Sequence, residues 1–126
     1  LSDVTGWKIL STGGTMKEGS LALVGHQAQK MLATFHVDKA IVSCKGIDMI
    51  KGFSDSSESF AELKKTMLRC AFQKILAIDS SKFDKIAFIQ IGDLQDISMV
   101  VTDKKPDDKW MQVLSGAGVT CLYPEV

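Results

Sequence analysis

Short apolar runs that stop abruptly at polar residues recur along the chain. Ile75, Leu76, Ala77 and Ile78 give way to Asp79, Ser80, Ser81 and Lys82. A run that short, without polar alternation, predicts a strand buried on both faces, as in a parallel sheet. The same pattern appears in WKILSTGGT (7–15), KAIVSCKGID (39–48), SMVVTDKK (98–105) and VTCLYPEV (119–126). Each predicts a strand whose carboxyl end carries small polar or charged groups, and in open parallel sheets ligands gather outside those ends. Between the runs the apolar spacing changes to threes and fours. Leu21, Val24, Ala28, Met31, Leu32 and Phe35 predict one amphipathic helix, with His26 on or beside it and His36 capping its end. Phe60, Leu63, Met67 and Ala71 predict a second, capped by Ser57, with Glu58 in its first turn and Arg69 in its last. Trp110, Val113 and Leu114 predict a third, stopping near Gly116 and Gly118. The alternation is that of an α/β fold, a mostly parallel Rossmann-like sheet with flanking helices.

At 126 residues and 45% hydrophobic, residues 1–126 form one domain that buries roughly two-thirds of its unfolded surface. No apolar stretch is long enough for a transmembrane helix, and no signal peptide is visible. Cys44, Cys70 and Cys121 are odd in number and sit in apolar contexts, as free thiols in a reducing, cytoplasmic compartment do. Their spacing suits no zinc site. Fifteen basic residues balance fifteen acidic ones, which argues against direct nucleic-acid binding by this segment.

The candidate chemistry is therefore local. Residues 13–20 (GGTMKEGS) hold three glycines but neither a Walker nor a G-x-G-x-x-G spacing, leaving a backbone cradle for an anion. Asp79 and Lys82 at a strand end suit a polyhydroxylated or phosphorylated molecule; a local salt bridge or turn cap is the plainer role. His26 and His36 stand apart from any nucleophile, so neither a triad nor a metal site is expected, and no cofactor is implied.

GGTMKEGSLALVG, FHVDKAIVSCKGID, GFSDSSESFAELKKTM and ILAIDSSKF together resemble, in order and spacing, the sensor domain of DeoR-type bacterial repressors. That resemblance implies a fold similar to ribose-5-phosphate isomerase and a carboxyl-terminal sugar-phosphate sensor. It implies a homo-oligomer that meets DNA only through an amino-terminal winged helix-turn-helix outside this chain. On this view the chain is a partial sensor, lacking the first phosphate-binding loop as well. The resemblance places Gly46, Asp48, Glu62, Asp79 and Lys82 in the ligand-binding set, beside Gly13, Gly14 and Lys17. The chain departs from the family wording at Ser43–Cys44–Lys45 and at Gly52–Phe53–Ser54–Asp55. A sugar-phosphate isomerase using Glu62 as base is the alternative; the expected role is regulatory, not enzymatic.

Overall fold

The computed structural model describes residues 5–125. Four of the expected runs become strands of one parallel sheet: β3 (Val37–Val42), β6 (Ala71–Ala77), β8 (Met99–Val101) and β9 (Thr120–Leu122), in that order across the sheet. Val42 registers with Leu76 and Ala77 with Val101, so the carboxyl ends of β3, β6 and β8 leave the sheet side by side. Helix α2 (Glu58–Arg69) starts where Ser57 accepts the Phe60 amide hydrogen, and α3 (Asp108–Gly116) starts where Asp107 accepts that of Trp110. Ala61 and Leu68 of α2 and Trp110 and Leu114 of α3 join Val42, Leu76 and Val100 in one buried core.

The first expected helix is shorter than the spacing suggested. Leu21 and Val24 belong instead to a hairpin of β1 (Thr15–Lys17) and β2 (Ala22–Val24), and α1 covers only His26–Leu32. Positive φ at Gly19, Leu21 and Gly25 turns the chain there, which no continuous helix permits. Ala33 caps α1, so His36 lies beyond the helix end. Ala71 opens β6 and is no part of α2.

The strand expected from Trp7 is absent: β1 begins at Thr15, and Trp7, Ile9 and Leu10 are exposed. Among the described residues no strand pairs with residues 7–12, and an apolar run without hydrogen-bond partners does not make a strand. A third sheet is one that the apolar runs do not predict. β4 (Gly46–Asp48), β5 (Gly52–Asp55) and β7 (Ile89–Gly92) form an antiparallel unit in which Asp48 accepts the amide hydrogens of Ile50 and Lys51 at the hairpin turn.

Candidate functional site

Two strand ends converge on one exposed shelf. Asp79, just past β6, caps the 3-10 turn Ser80–Lys82 and accepts from the Ser81 amide (2.8 Å) and hydroxyl. Asp103, just past β8, accepts from the Ser80 amide (2.6 Å) and hydroxyl (3.4 Å). Lys82 Nζ lies 3.7 Å from Asp79 Oδ2. Hydrogen bonds from Ser81 hold the Asp79 carboxyl below its ordinary range, and the Ser80 amide does the same for Asp103. The shelf thus presents two ionised carboxylates, serine hydroxyls and an ammonium. That set can hold hydroxyls through the acids and an anion through the lysine.

The shelf is braced from below. Ile47 of β4 bridges Phe83, the residue after Lys82. Phe83 meets the buried Trp110 edge-on, centroids 5.0 Å apart, and Trp110 Nε1 donates to Asp84 at 3.0 Å. Gly46 lies against the Lys85 carbonyl, where an added Cβ would collide with backbone. The Ser54 hydroxyl, one strand over, accepts the Ala87 amide hydrogen at 2.8 Å.

A second polar cluster sits at the start of α2. Lys64 Nζ pairs with Asp55 Oδ2 at 2.6 Å, and the carboxylate side chain is only 1% exposed. Lys17 Nζ, from the β1–β2 hairpin, donates to Ser57 Oγ at 2.8 Å and lies 4.6 Å above the Phe60 ring. Burial pushes the nearby Cys44 thiol up to about 11, so at neutral pH it is an unreactive thiol. Ser57 both caps α2 and receives Lys17, so Ser57→Ala should lower stability by about 1 kcal/mol. A urea midpoint unchanged in that variant would remove the cap from the account.

The expected site residues are thus distributed. Asp79 and Lys82 form the shelf, while Gly46 packs against the Lys85 carbonyl, three residues beyond Lys82. Lys17 is committed to the α2 amino terminus. Gly13 and Gly14 both take positive φ; a Cβ on Gly14 would meet the Val24 carbonyl and Ala28, so the loop packs against the start of α1. Asp48 holds the β4–β5 turn, and its carboxyl is lowered by the Lys51 and Ile50 amides. Glu62 pairs with Lys65 at 3.2 Å on the α2 surface. Sequence reading overlooked Asp103 as a partner of the serine turn, though its place at a strand end was the available signal. It also overlooked the Asp55–Lys64 pair, whose nine-residue separation follows no helical or strand period.

Concave surface is found elsewhere. One of about 420 Å³ is lined by Lys65, Arg69, Lys74, Gln95, Asp96 and Ser98, beside the start of β8 and the end of α2. Among the described residues no group of His, Cys, Asp and Glu is placed to hold a metal, and no helix is long and apolar enough to cross a membrane.

A model of the family described as the DeoR C terminal sensor domain matches residues 1–104. The chain belongs to that family. The four motifs quoted above fall on the β1–β2 hairpin, on β3 and β4, on β5 with the start of α2, and on β6 with the shelf, while α3 and β9 lie beyond the matched residues. The chain is 42% identical over 114 residues to the uncharacterized HTH-type transcriptional regulator YulB of Bacillus subtilis (strain 168), covering 90% of this chain and 44% of that protein. It is 32% identical over 122 residues to the putative aga operon transcriptional repressor of Escherichia coli O157:H7, covering 97% and 45%. Over 101 residues it is 34% identical to the L-fucose operon activator of Haemophilus influenzae (strain ATCC 51907 / DSM 11121 / KW20 / Rd), covering 80% and 41%. The chain therefore spans less than half the length of these regulators.

Proposed function

We propose that this DeoR sensor binds a phosphorylated sugar at the carboxyl ends of β6 and β8, and that binding alters DNA affinity through a helix-turn-helix in the same cytoplasmic, homo-oligomeric regulator. The observation that carries the reading is the shelf itself. Asp79, Lys82 and Asp103 converge at the carboxyl ends of neighbouring parallel strands, with hydroxyl-binding acids beside an anion-binding ammonium. Relatives named for the aga and L-fucose operons support a carbohydrate effector. Asp79 accepts from sugar hydroxyls, Lys82 turns from Asp79 to the phosphate, and Gly46 keeps the floor close beneath them. Gly13, Gly14, Lys17, Asp48 and Glu62 stand outside this contact set, since Gly14 packs on Val24 and Ala28, Lys17 is held by Ser57, Asp48 by the β4–β5 turn and Glu62 by Lys65. Binding favours one inter-subunit arrangement, and the difference in affinity between arrangements sets the change at DNA. The isomerase alternative gains nothing from the geometry, since Glu62 is engaged with Lys65 on the helix surface.

Melting of the complete gene product against a panel of phosphorylated pentoses and hexoses tests this. Saturation at 100 times the dissociation constant contributes about 2.7 kcal/mol, a shift of several degrees. Lys82→Ala should abolish that shift while leaving the ligand-free melting temperature in place. An unchanged shift in the variant takes Lys82 out of the site, and no shift with any sugar phosphate overturns the proposal.

A further inference from the structure

The cleft of about 420 Å³ between the end of α2 and the start of β8 collects cations without matching anions. Lys65 and Arg69 reach it from α2, one turn apart, and Lys74 reaches it from β6. The carboxylate lining it, Asp96, is already engaged, since Oδ2 accepts the Asp93 amide hydrogen at 2.8 Å. Among the described residues Arg69 and Lys74 have no ion-pair partner. Lys65 has Glu62, in a surface pair that costs little to break.

The carboxyl end of a helix favours cations, which accounts for Lys65 and Arg69. It does not account for Lys74. Side chains alternate along a strand, so Lys74 shares its face with Leu76, and its registered partner across the sheet is Ala40. Those two are 0% and 6% exposed, in the core that the helices cover. A lysine in that row buries its stem and delivers its ammonium into the cleft. The floor is apolar: Leu68, Ile91 and Ile97 are each at most 5% exposed. Charges above such a floor are screened less than charges in open water. Ser98 Oγ accepts the Lys74 amide hydrogen at 3.0 Å, and a hydroxyl engaged as acceptor still has its hydrogen to donate.

Three cations facing one concavity repel one another, and a multiply charged anion relieves that repulsion. A guanidinium, two ammoniums and a hydroxyl match the oxygens of a phosphoryl group. We infer that this cleft binds a small phosphoryl-bearing anion. It lies at the amino ends of β6 and β8, whereas the Asp79–Lys82 shelf follows their carboxyl ends. The two sites share no residue, so the cleft stands whether or not the shelf takes a sugar phosphate.

Acetylation of lysines in the complete gene product, read by peptide mass spectrometry with and without pyrophosphate, tests it. With pyrophosphate at twice its dissociation constant, acetylation of Lys65 and Lys74 falls about threefold, because a third of the sites stay free. The exposed Lys105 and Lys109 keep their rates. Arg69→Gln, at an exposed position that tolerates the change, removes the protection at both lysines. Lys74→Gln removes it at Lys65, and Lys82→Ala leaves it in place. Protection that survives either glutamine substitution overturns the inference. So does protection lost in Lys82→Ala, which makes the shelf its source, or equal slowing by sodium chloride at matched ionic strength, which reduces it to screening. Rates at Lys65 that pyrophosphate does not move overturn it as well, including the case in which other polypeptide already fills the cleft. The effector melting shift is read separately, so the two sites fail independently.

Discussion

Replacing Lys64 with methionine lowers stability at pH 7 by about 3 to 5 kcal/mol and reverses part of its pH dependence. The Asp55 side chain is 1% exposed and that of Lys64 17%, so the pair is shielded from solvent screening. Burial raises the Asp55 carboxyl, but the hydrogen bond and charge of Lys64, with the amides of Ser57 and Ser56, outweigh it and the net shift is downward. In the parent this contribution is present above the unfolded carboxyl pKa of about 3.9 and is lost as the pH falls through the lower folded value. Without Lys64, burial is opposed only by the amides of Ser57 and Ser56, and the expected result is a folded carboxyl above the unfolded one. The variant then carries a penalty at pH 7 that lessens as the pH falls and the carboxyl takes up a proton. Urea unfolding at pH 7 and pH 5 should show the gap to the parent narrowing at the lower pH. A gap below about 1 kcal/mol, or one that does not change with pH, would mean the pair is not the support described. Adding Asp55→Asn to the methionine variant should recover part of the loss, since no buried charge is then left alone.

Trp110→Ala should cost about 3 to 5 kcal/mol. Trp110 is 1% exposed and is among the largest fully buried side chains. It also fixes the segment that follows the shelf, through its edge contact with Phe83 and its bond to Asp84. Asp84 has a positive φ, a conformation that aspartate adopts more readily than most non-glycine residues and that its bond to Trp110 helps to hold. Trp110→Phe keeps most of the packing and removes the Nε1 donor, for a loss of about 1 kcal/mol. Chemical denaturation of the two variants separates packing from the hydrogen bond. Similar losses in both would assign the whole role to the donor and remove the packing argument. Trp7, the other tryptophan, is exposed, so a buried emission signal reports on Trp110.

The sequence pattern made the parallel sheet legible because its strands are short apolar runs with charged ends. The caps of α2 and α3 were equally local: Ser57 was legible as a cap, and Gly118 with positive φ follows α3 as the glycine stop suggested. The hairpin was lost because Leu21, Val24 and Ala28 imitate a helical period across two turns of backbone with positive φ. The antiparallel unit was lost because its strands are three or four residues long and are held by distant partners such as Ser54 with Ala87. At the site, Asp79 and Lys82 announced themselves by their place after an apolar run. Asp48 and Glu62 came only from family resemblance, and the structure gives each a local partner. Lys17 stood in a glycine-rich loop, and nothing near it in sequence points to Ser57, forty residues on.

The unreversed strand order also bears on synthesis. β3, β6, β8 and β9 leave the ribosome in the order in which they lie side by side, so each later strand finds its pairing partner already made. No gap has to be held open for a strand still to be made. The antiparallel unit obeys a different clock, because β5 waits for β7 on its second edge. The Ile47–Phe83 bridge beneath the Asp79–Lys82 turn joins residues made before and after β6, so it can close only once β6 has been made.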